Sequence, residues 1–145
     1  MIRLATEEDI FDLLVLTKNY MKEAGEFFKF NKDKIETFLS NAIPSDDHCV
    51  IVCEVEGSVV GFLICQCADN PFVDRKLAFE IGWYMSKEHR GARNSIRLLK
   101  AFEEWAIPKG VDCLILSDVP NLTDLAKLYG KLGYSLSERA FVKVL

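Results

Sequence analysis

The sequence predicts an α/β fold in which one mixed central sheet carries helices on both faces. Three observations point there. Apolar residues recur at helical spacing near the N-terminus and then change to strand-like runs through the middle of the chain. Hairpin-like strand pairs come first and strand–helix–strand units follow, which calls for antiparallel and then crossover connections. Cap and turn residues stand at most changes of period.

The elements follow in order. IRLA at residues 2–5 is a short strand. Thr6 is a good N-cap, with Asp9 three positions on in a weak capping box. From Glu7 to about Ala24, the residues Ile10, Leu13, Leu14, Thr17 and Met21 mark a helix that Gly25 ends. EFFKFNK is an aromatic loop. A second helix from about Lys32 to Ala42 places Ile35, Phe38, Leu39 and Ala42 on one face, and Pro44 with the following SDD stops it. CVIVCEVE and VVGFLICQCA are strands joined at Glu56-Gly57. DNPFVDRK is a loop. LAFEIGWYMS at 77–86 is apolar on both faces and therefore central.

A helix over Asn94–Ile107 turns Leu98, Phe102, Trp105 and Ala106 inward, and Pro108 and Gly110 terminate it. DCLILSDV is another strand. Residues 122–132 form a last helix, capped by Asn121 with Asp124 at the third position and ended by Gly133. The tail YSLSERAFVKVL is extended, as one bent strand or a tight hairpin. The expected order is β-α-α-β-β-β-α-β-α-β. With no linker, repeat or low-complexity tract, residues 1–145 read as a single domain.

Composition narrows the function. The chain is 50% hydrophobic and 28% charged, an ordinary globular balance. Its net charge of −4 argues against a general nucleic-acid binder. No apolar run approaches the roughly 20 residues of a membrane helix. The opening MIRLATEEDIFDLLVL is broken by acidic residues and does not read as a signal peptide. A cytoplasmic location follows as the default. The five cysteines lie in apolar, strand-like segments without a C-x-x-C, so they read as buried reduced thiols and not as a metal site. Cys65 and Cys67 are poor nucleophile candidates, because no motif ties His48 or His89 to either.

Two places carry chemistry. The stretch EHRGARNSIRLL sets Arg90, Arg93 and Arg97 around a helix start, where the dipole prefers negative charge. A bound phosphate would resolve this by accepting from the free N–H groups and pairing with the arginines. Gly91 and Ala92 keep that turn small. The alternative is a solvated basic turn. The second place is Glu80, inside an apolar strand. Strand alternation puts Ala78, Glu80, Gly82 and Tyr84 on one face. A partly buried Glu has a raised pKa, which suits a general base. The alternative is a structural ion pair, for instance with Arg75.

From the strand ending YMS, through the basic turn, to the helix ending YGKLGY, the chain resembles the GNAT superfamily of N-acetyltransferases over nearly its whole length. The family signature R/Q-x-x-G-x-G/A is occupied, imperfectly, by Arg90-Gly91-Ala92-Arg93-Asn94-Ser95. Arg93 stands where the family usually has Gly, and Ser95 stands at the final small position. Arg-Gly followed by a second Arg is similar to bacteriophage-encoded members. Tyr129, Gly133 and Tyr134 match the family's terminal Y-x-x-x-G-F/Y motif. The family often carries Asn seven residues before this Tyr; Leu122 stands there and Asn121 is one position early, so Asn121 is read as a cap.

The resemblance implies acetyl-CoA as acyl donor and no metal. It implies that Arg90, Gly91, Ala92, Arg93, Asn94 and Ser95 hold the diphosphate. The backbone of Tyr84, Met85 and Ser86 would pair with the pantetheine arm. Glu80 would act as base through water, with Asp118 as the alternative. The Met85 N–H would stabilise the thioester oxygen, and Tyr129 would protonate the leaving sulfur. Transfer would be direct, to the primary amine of a small molecule or of a peptide or protein. The first two helices and their connection, with Phe27, Phe28 and Phe30, would shape the acceptor side unless those rings simply pack. A homodimer is compatible with this reading, and host cytoplasm is the location for a phage-encoded member. Two rivals stand beside it. One is a non-catalytic CoA-binding or protein-interaction module of the same fold. The other is a small nucleic-acid-binding protein using the Arg90–Arg97 cluster.

Overall fold

The computed structural model describes residues 1–25, 27–119 and 125–145. The strands are β1 (Ile2–Leu4), β2 (His48–Val55), β3 (Ser58–Asp69), β4 (Lys76–Met85) and β5 (Cys113–Ile115). They form an open sheet in the order β1-β2-β3-β4-β5. Pairing is antiparallel from β1 through β4, and parallel between β4 and β5. The β2–β3 hairpin turns at Glu56 and Gly57, both at positive φ, as the twist of paired strands favours.

The helices are α1 (Ile10–Glu23), α2 (Lys32–Ala42), α3 (Ala92–Ala106) and α4 (Ala126–Lys131). α1 follows a single 3-10 turn in which Asp9 accepts from the Thr6 N–H at 2.7 Å, so the expected box is present. Asn31 caps α2 by accepting from the Lys34 N–H at 3.1 Å. Asn121, Leu122 and Asp124 lie outside the described residues.

Alternate residues of β2 feed two cores. Cys49, Ile51 and Cys53 pack with Leu63, Cys65, Leu98, Leu99, Phe102 and Ala106 on the α3–α4 side. Val50 and Val52 pack with Phe62, Ile64, Leu13, Leu16, Leu39 and Ala42 on the α1–α2 side. Helices on both faces explain why the middle strands are apolar almost throughout. Cys49, Cys53 and Cys65 are buried as expected, and burial pushes the Cys49 thiol up to about 12. Cys113 is exposed instead, because β5 forms the open edge of the sheet.

Four other expectations are corrected. α3 begins at Ala92, two residues before Asn94, because Gly91 turns the chain into the helix. β5 covers only Cys113–Ile115 of the expected DCLILSDV strand. Past Ile115 the chain leaves β4, and the Ser117 N–H donates to the Glu80 carboxylate instead of a β4 carbonyl. Residues 135–145 form no strand, so the final β of the expected order is absent. A strand needs a partner backbone, and the open edge offers only three residues. Lastly, Ala78, Glu80, Gly82 and Tyr84 do not share a face. Pairing with β3 steps from Cys65↔Glu80 to Ile64↔Gly82, which leaves Ile81 as an extra residue. This bulge reverses the alternation. Glu80 pairs with Cys65 of the α3–α4 core, whereas Tyr84 lies in the α1–α2 core.

Candidate active site

The bulge and the short β5 together open the sheet. β4 is paired with β5 only at Leu77, Ala78 and Phe79. Beyond that point the two chains diverge and enclose a cavity of about 250 Å³. Glu80, Trp83 and Met85 line it from β4, Ser117 from the segment after β5, and Arg90, Gly91 and Ser95 from the turn before α3 and its first residues.

Glu80 accepts from the Ser117 N–H at 2.8 Å. Among the described residues it makes no ion pair, with Arg75 or any other cation. Burial pushes its carboxyl up to about 7, against the pull of the Ser117 hydrogen bond. Tyr129 donates its hydroxyl to the Ser117 carbonyl at 2.7 Å. Burial, followed by the charges of Glu80 and Asp118, pushes its phenol up. The two expected catalytic side chains are therefore held on opposite ends of one residue, Ser117. Asp118 is exposed and accepts from the Leu125 N–H at 3.3 Å, ahead of α4.

Register also fixes what β4 offers the cavity. Met85 faces Gly61, and the Ser86 N–H donates to the Val60 carbonyl at 2.9 Å. Gly61 and Met85 are thus a non-hydrogen-bonded pair, and the N–H and C=O of Met85 point away from β3. The same parity applies to Trp83, opposite Leu63. This side of β4 has lost β5, so the Trp83 backbone and the Met85 N–H are available to an added amide chain, while the Met85 C=O accepts from Arg90 Nε at 2.9 Å. Tyr84 has the opposite parity and directs its backbone to β3. Ser86 bonds His89 Nδ1 through its hydroxyl at 3.0 Å.

α3 begins without a side-chain cap. Gly91 is its N-cap at φ 156° and ψ 157°, a conformation almost restricted to glycine. The first backbone bond closing on it is Ser95 N–H to Gly91 C=O at 3.3 Å. The N–H groups of Ala92, Arg93 and Asn94 precede that bond and have no partner within the helix.

The three arginines border one cleft but are engaged differently. Arg90 bonds Glu23 at 2.6 Å and the Met85 carbonyl at 2.9 Å. Arg93 and Arg97 are exposed and line a second cleft of about 660 Å³ with Asn94, Glu54 and Glu56. Arg90 and Gly91 border both clefts. Phe27 and Phe28 are exposed beyond α1, while Phe30 is partly buried with Lys18 Nζ 6.0 Å from its ring. Sequence reasoning missed Ser117 and Glu23. Ser117 acts through its backbone and leaves no mark in the sequence. Glu23 lies 67 residues from Arg90.

The sequence model of the Acetyltransferase (GNAT) family matches residues 8–134. No curated protein matches the chain. Solved structures share its fold. A ribosomal-protein-alanine N-acetyltransferase from Brucella melitensis is 19% identical with a TM-score of 0.73, over 99% of this chain and 98% of that one. A transcriptional regulator from Bacillus halodurans is 17% identical with a TM-score of 0.82, over 99% and 97%. The aminoglycoside N-acetyltransferase AAC(6')-Iy, solved in complex with CoA, is 17% identical with a TM-score of 0.80, over 99% and 92%.

Proposed function

The chain belongs to the acetyltransferase (GNAT) family, and we propose that it moves an acetyl group from acetyl-CoA to a primary amine by direct attack. The observation that carries this is Glu80: a carboxylate with no ion pair among the described residues, pushed up to about 7, on the wall of the cavity where β4 parts from β5. A base of that strength can take a proton from an ammonium group near neutral pH.

The residues fit the donor. The outward backbone of Trp83 and the Met85 N–H suit the amides of the pantetheine arm, and the free N–H groups at the start of α3 suit the diphosphate. Acetyl-CoA, as substrate, supplies the acyl group as a thioester. Glu80 draws a proton from the acceptor through water. The Met85 N–H stabilises charge on the acyl oxygen. Tyr129 returns a proton to the sulfur once its hydroxyl turns from Ser117. The acceptor is a cationic amine, of a small molecule or of a peptide or protein, as the named substrates of two relatives suggest. The Arg90–Arg93 turn adds bacteriophage origin, and host cytoplasm, to the same reading.

Glu80→Gln should lower kcat about a hundredfold or more while leaving acetyl-CoA affinity within about twofold. Tyr129→Phe should do the same more weakly. A product-mass screen of amines and peptides with acetyl-CoA provides the assay. Failure of the protein to bind any acyl-CoA would overturn the assignment. A second reading is a CoA-binding module without catalysis, favoured by the commitment of the Tyr129 hydroxyl to a backbone carbonyl. In that case acetyl-CoA binds, but no amine is acetylated and neither variant changes anything.

A further inference from the structure

Arg90 opens the basic turn in sequence, yet in space it serves another helix. Its Nη2 lies 2.6 Å from Oε2 of Glu23, the last residue of α1. A cation there complements the negative end of the α1 dipole. Tyr84 donates to the other Glu23 oxygen at 2.7 Å, and its ring centre is 5.5 Å from the guanidinium carbon. Burial alone would raise the Glu23 carboxyl, but the bonds from Arg90 and Tyr84 outweigh it and hold it below the usual range. The Arg90 and Glu23 side chains keep only 27% and 19% exposure, so solvent screens the pair less than a surface pair.

A second Arg90 donor, Nε, reaches the Met85 carbonyl at 2.9 Å. Met85 turns two backbone groups away from β3. Its N–H is the one acyl transfer needs. Its C=O would set the negative end of a dipole beside the developing oxyanion and compete for donors entering the cavity. Arg90 covers that carbonyl. The Met85–Ser86 peptide is thereby gripped on both sides, because the Ser86 N–H donates to Val60.

We propose that Arg90, held by Glu23 and Tyr84, is a positioning residue and not a diphosphate ligand: by holding the carbonyl of the Met85–Ser86 peptide it fixes the Met85 backbone and keeps that carbonyl from competing with the Met85 N–H, which belongs to the preceding peptide and faces the cavity by strand register. The proposal rests on the acetyl-transfer function given above. It also ties the α1 end, which borders the exposed Phe27–Phe28 loop, to the donor side of the site.

Two fragments separate the alternatives. Acetylpantetheine carries the amides and thioester without a diphosphate, and ADP carries a diphosphate without the amides. Titration of each, followed by intrinsic tryptophan fluorescence in a Trp105→Phe background that leaves Trp83 as the reporter, is made with wild type, Arg90→Lys, Glu23→Gln and Tyr84→Phe. Glu23→Gln keeps the shape of the side chain and so guards against misfolding. For a positioning residue, Arg90→Lys and Glu23→Gln weaken acetylpantetheine about tenfold and ADP less than about twofold, with Tyr84→Phe intermediate. The backbone amide resonance of Met85 moves in the free protein in all three variants. ADP binding lost in Arg90→Lys, with acetylpantetheine unchanged and Glu23→Gln silent, overturns the proposal and assigns Arg90 to the diphosphate. If wild type binds neither fragment nor acetyl-CoA, the acetyl-transfer function falls too, and wild type itself reveals it.

Discussion

At the level of single side chains, Glu80 and Tyr129 are joined by one residue: Ser117 gives its N–H to the carboxylate and receives the phenol on its carbonyl. The carboxylate pays for its position in stability. Burial pushes the Glu80 carboxyl up to about 7, so the folded protein keeps that proton to a higher pH than the unfolded chain does. Stability therefore falls as pH rises from the ordinary carboxylate range to about 7, and the loss is complete above it. Activity runs the other way, since the base must be ionised. In wild type, kcat/KM should climb through about pH 7 and then level. Glu80→Gln should abolish that limb. The same variant should be more stable than wild type by about 1–2 kcal/mol near pH 8, and the gain should vanish near pH 4. Thermal melts at both pH values test this. A pH-independent difference would show that the cost of Glu80 is not its charge.

Among the elements, legibility followed the range of the signal. α2 matches its expected bounds, because an apolar face and a Pro stop are local marks. The three long strands match to within one residue at each end, since burial on both faces writes itself into continuous apolar runs. The bulge at Ile81 was not legible. Isoleucine suits a strand equally well in or out of register, so the reversed alternation that sets Glu80 apart from Tyr84 is visible only in pairing with β3. The early end of β5 was hidden for the same reason, as its apolar run continues past the last paired residue. Glu80 and the α3 start were legible, as a charge among apolar residues and as cations at the wrong helix end. Where the cations go was not, because Arg90 answers to α1 and not to α3. Gly91 allows a test at this scale. A Cβ there meets nothing within 4 Å, so space is no obstacle, but φ 156° is strained for any L side chain. Gly91→Ala should cost about 1–3 kcal/mol if the turn holds its shape. If the turn relaxes instead, stability is retained and acetyl-CoA affinity falls. Paired melts and titrations tell these apart, and a variant unchanged in both would mean the turn does not depend on its glycine.

Across the whole molecule, the two edges of the sheet do different work. The β5 edge is short and parts from β4 to make the cavity, while the β1 edge is fastened. Arg3 on β1 donates to both oxygens of Asp9, at 2.7 and 2.9 Å, and to Glu54 of β2 at 2.9 Å. Asp9 also accepts from Thr6 N–H, so one buried carboxylate joins β1 to the turn that starts α1. The Arg3 hydrogen bond, against the cost of burial, holds the Asp9 carboxyl down to about 2. A depressed carboxyl contributes stability that is fully present above the ordinary aspartate range and is lost as pH falls through about 2. Asp9→Asn should therefore cost about 2 kcal/mol at neutral pH. Urea midpoints measured down the pH scale should show wild type approaching the variant below about pH 4, with the gap nearly closed close to pH 2. Asp9 and Arg3 do not line the cavity beside Glu80, so acetyl-transfer rates of the folded variant should match wild type. A gap that stays constant with pH would mean that the cap's geometry, and not the charge on Asp9, secures this edge. A fall in turnover without unfolding would mean that strain at the β1 edge reaches the cavity through the sheet.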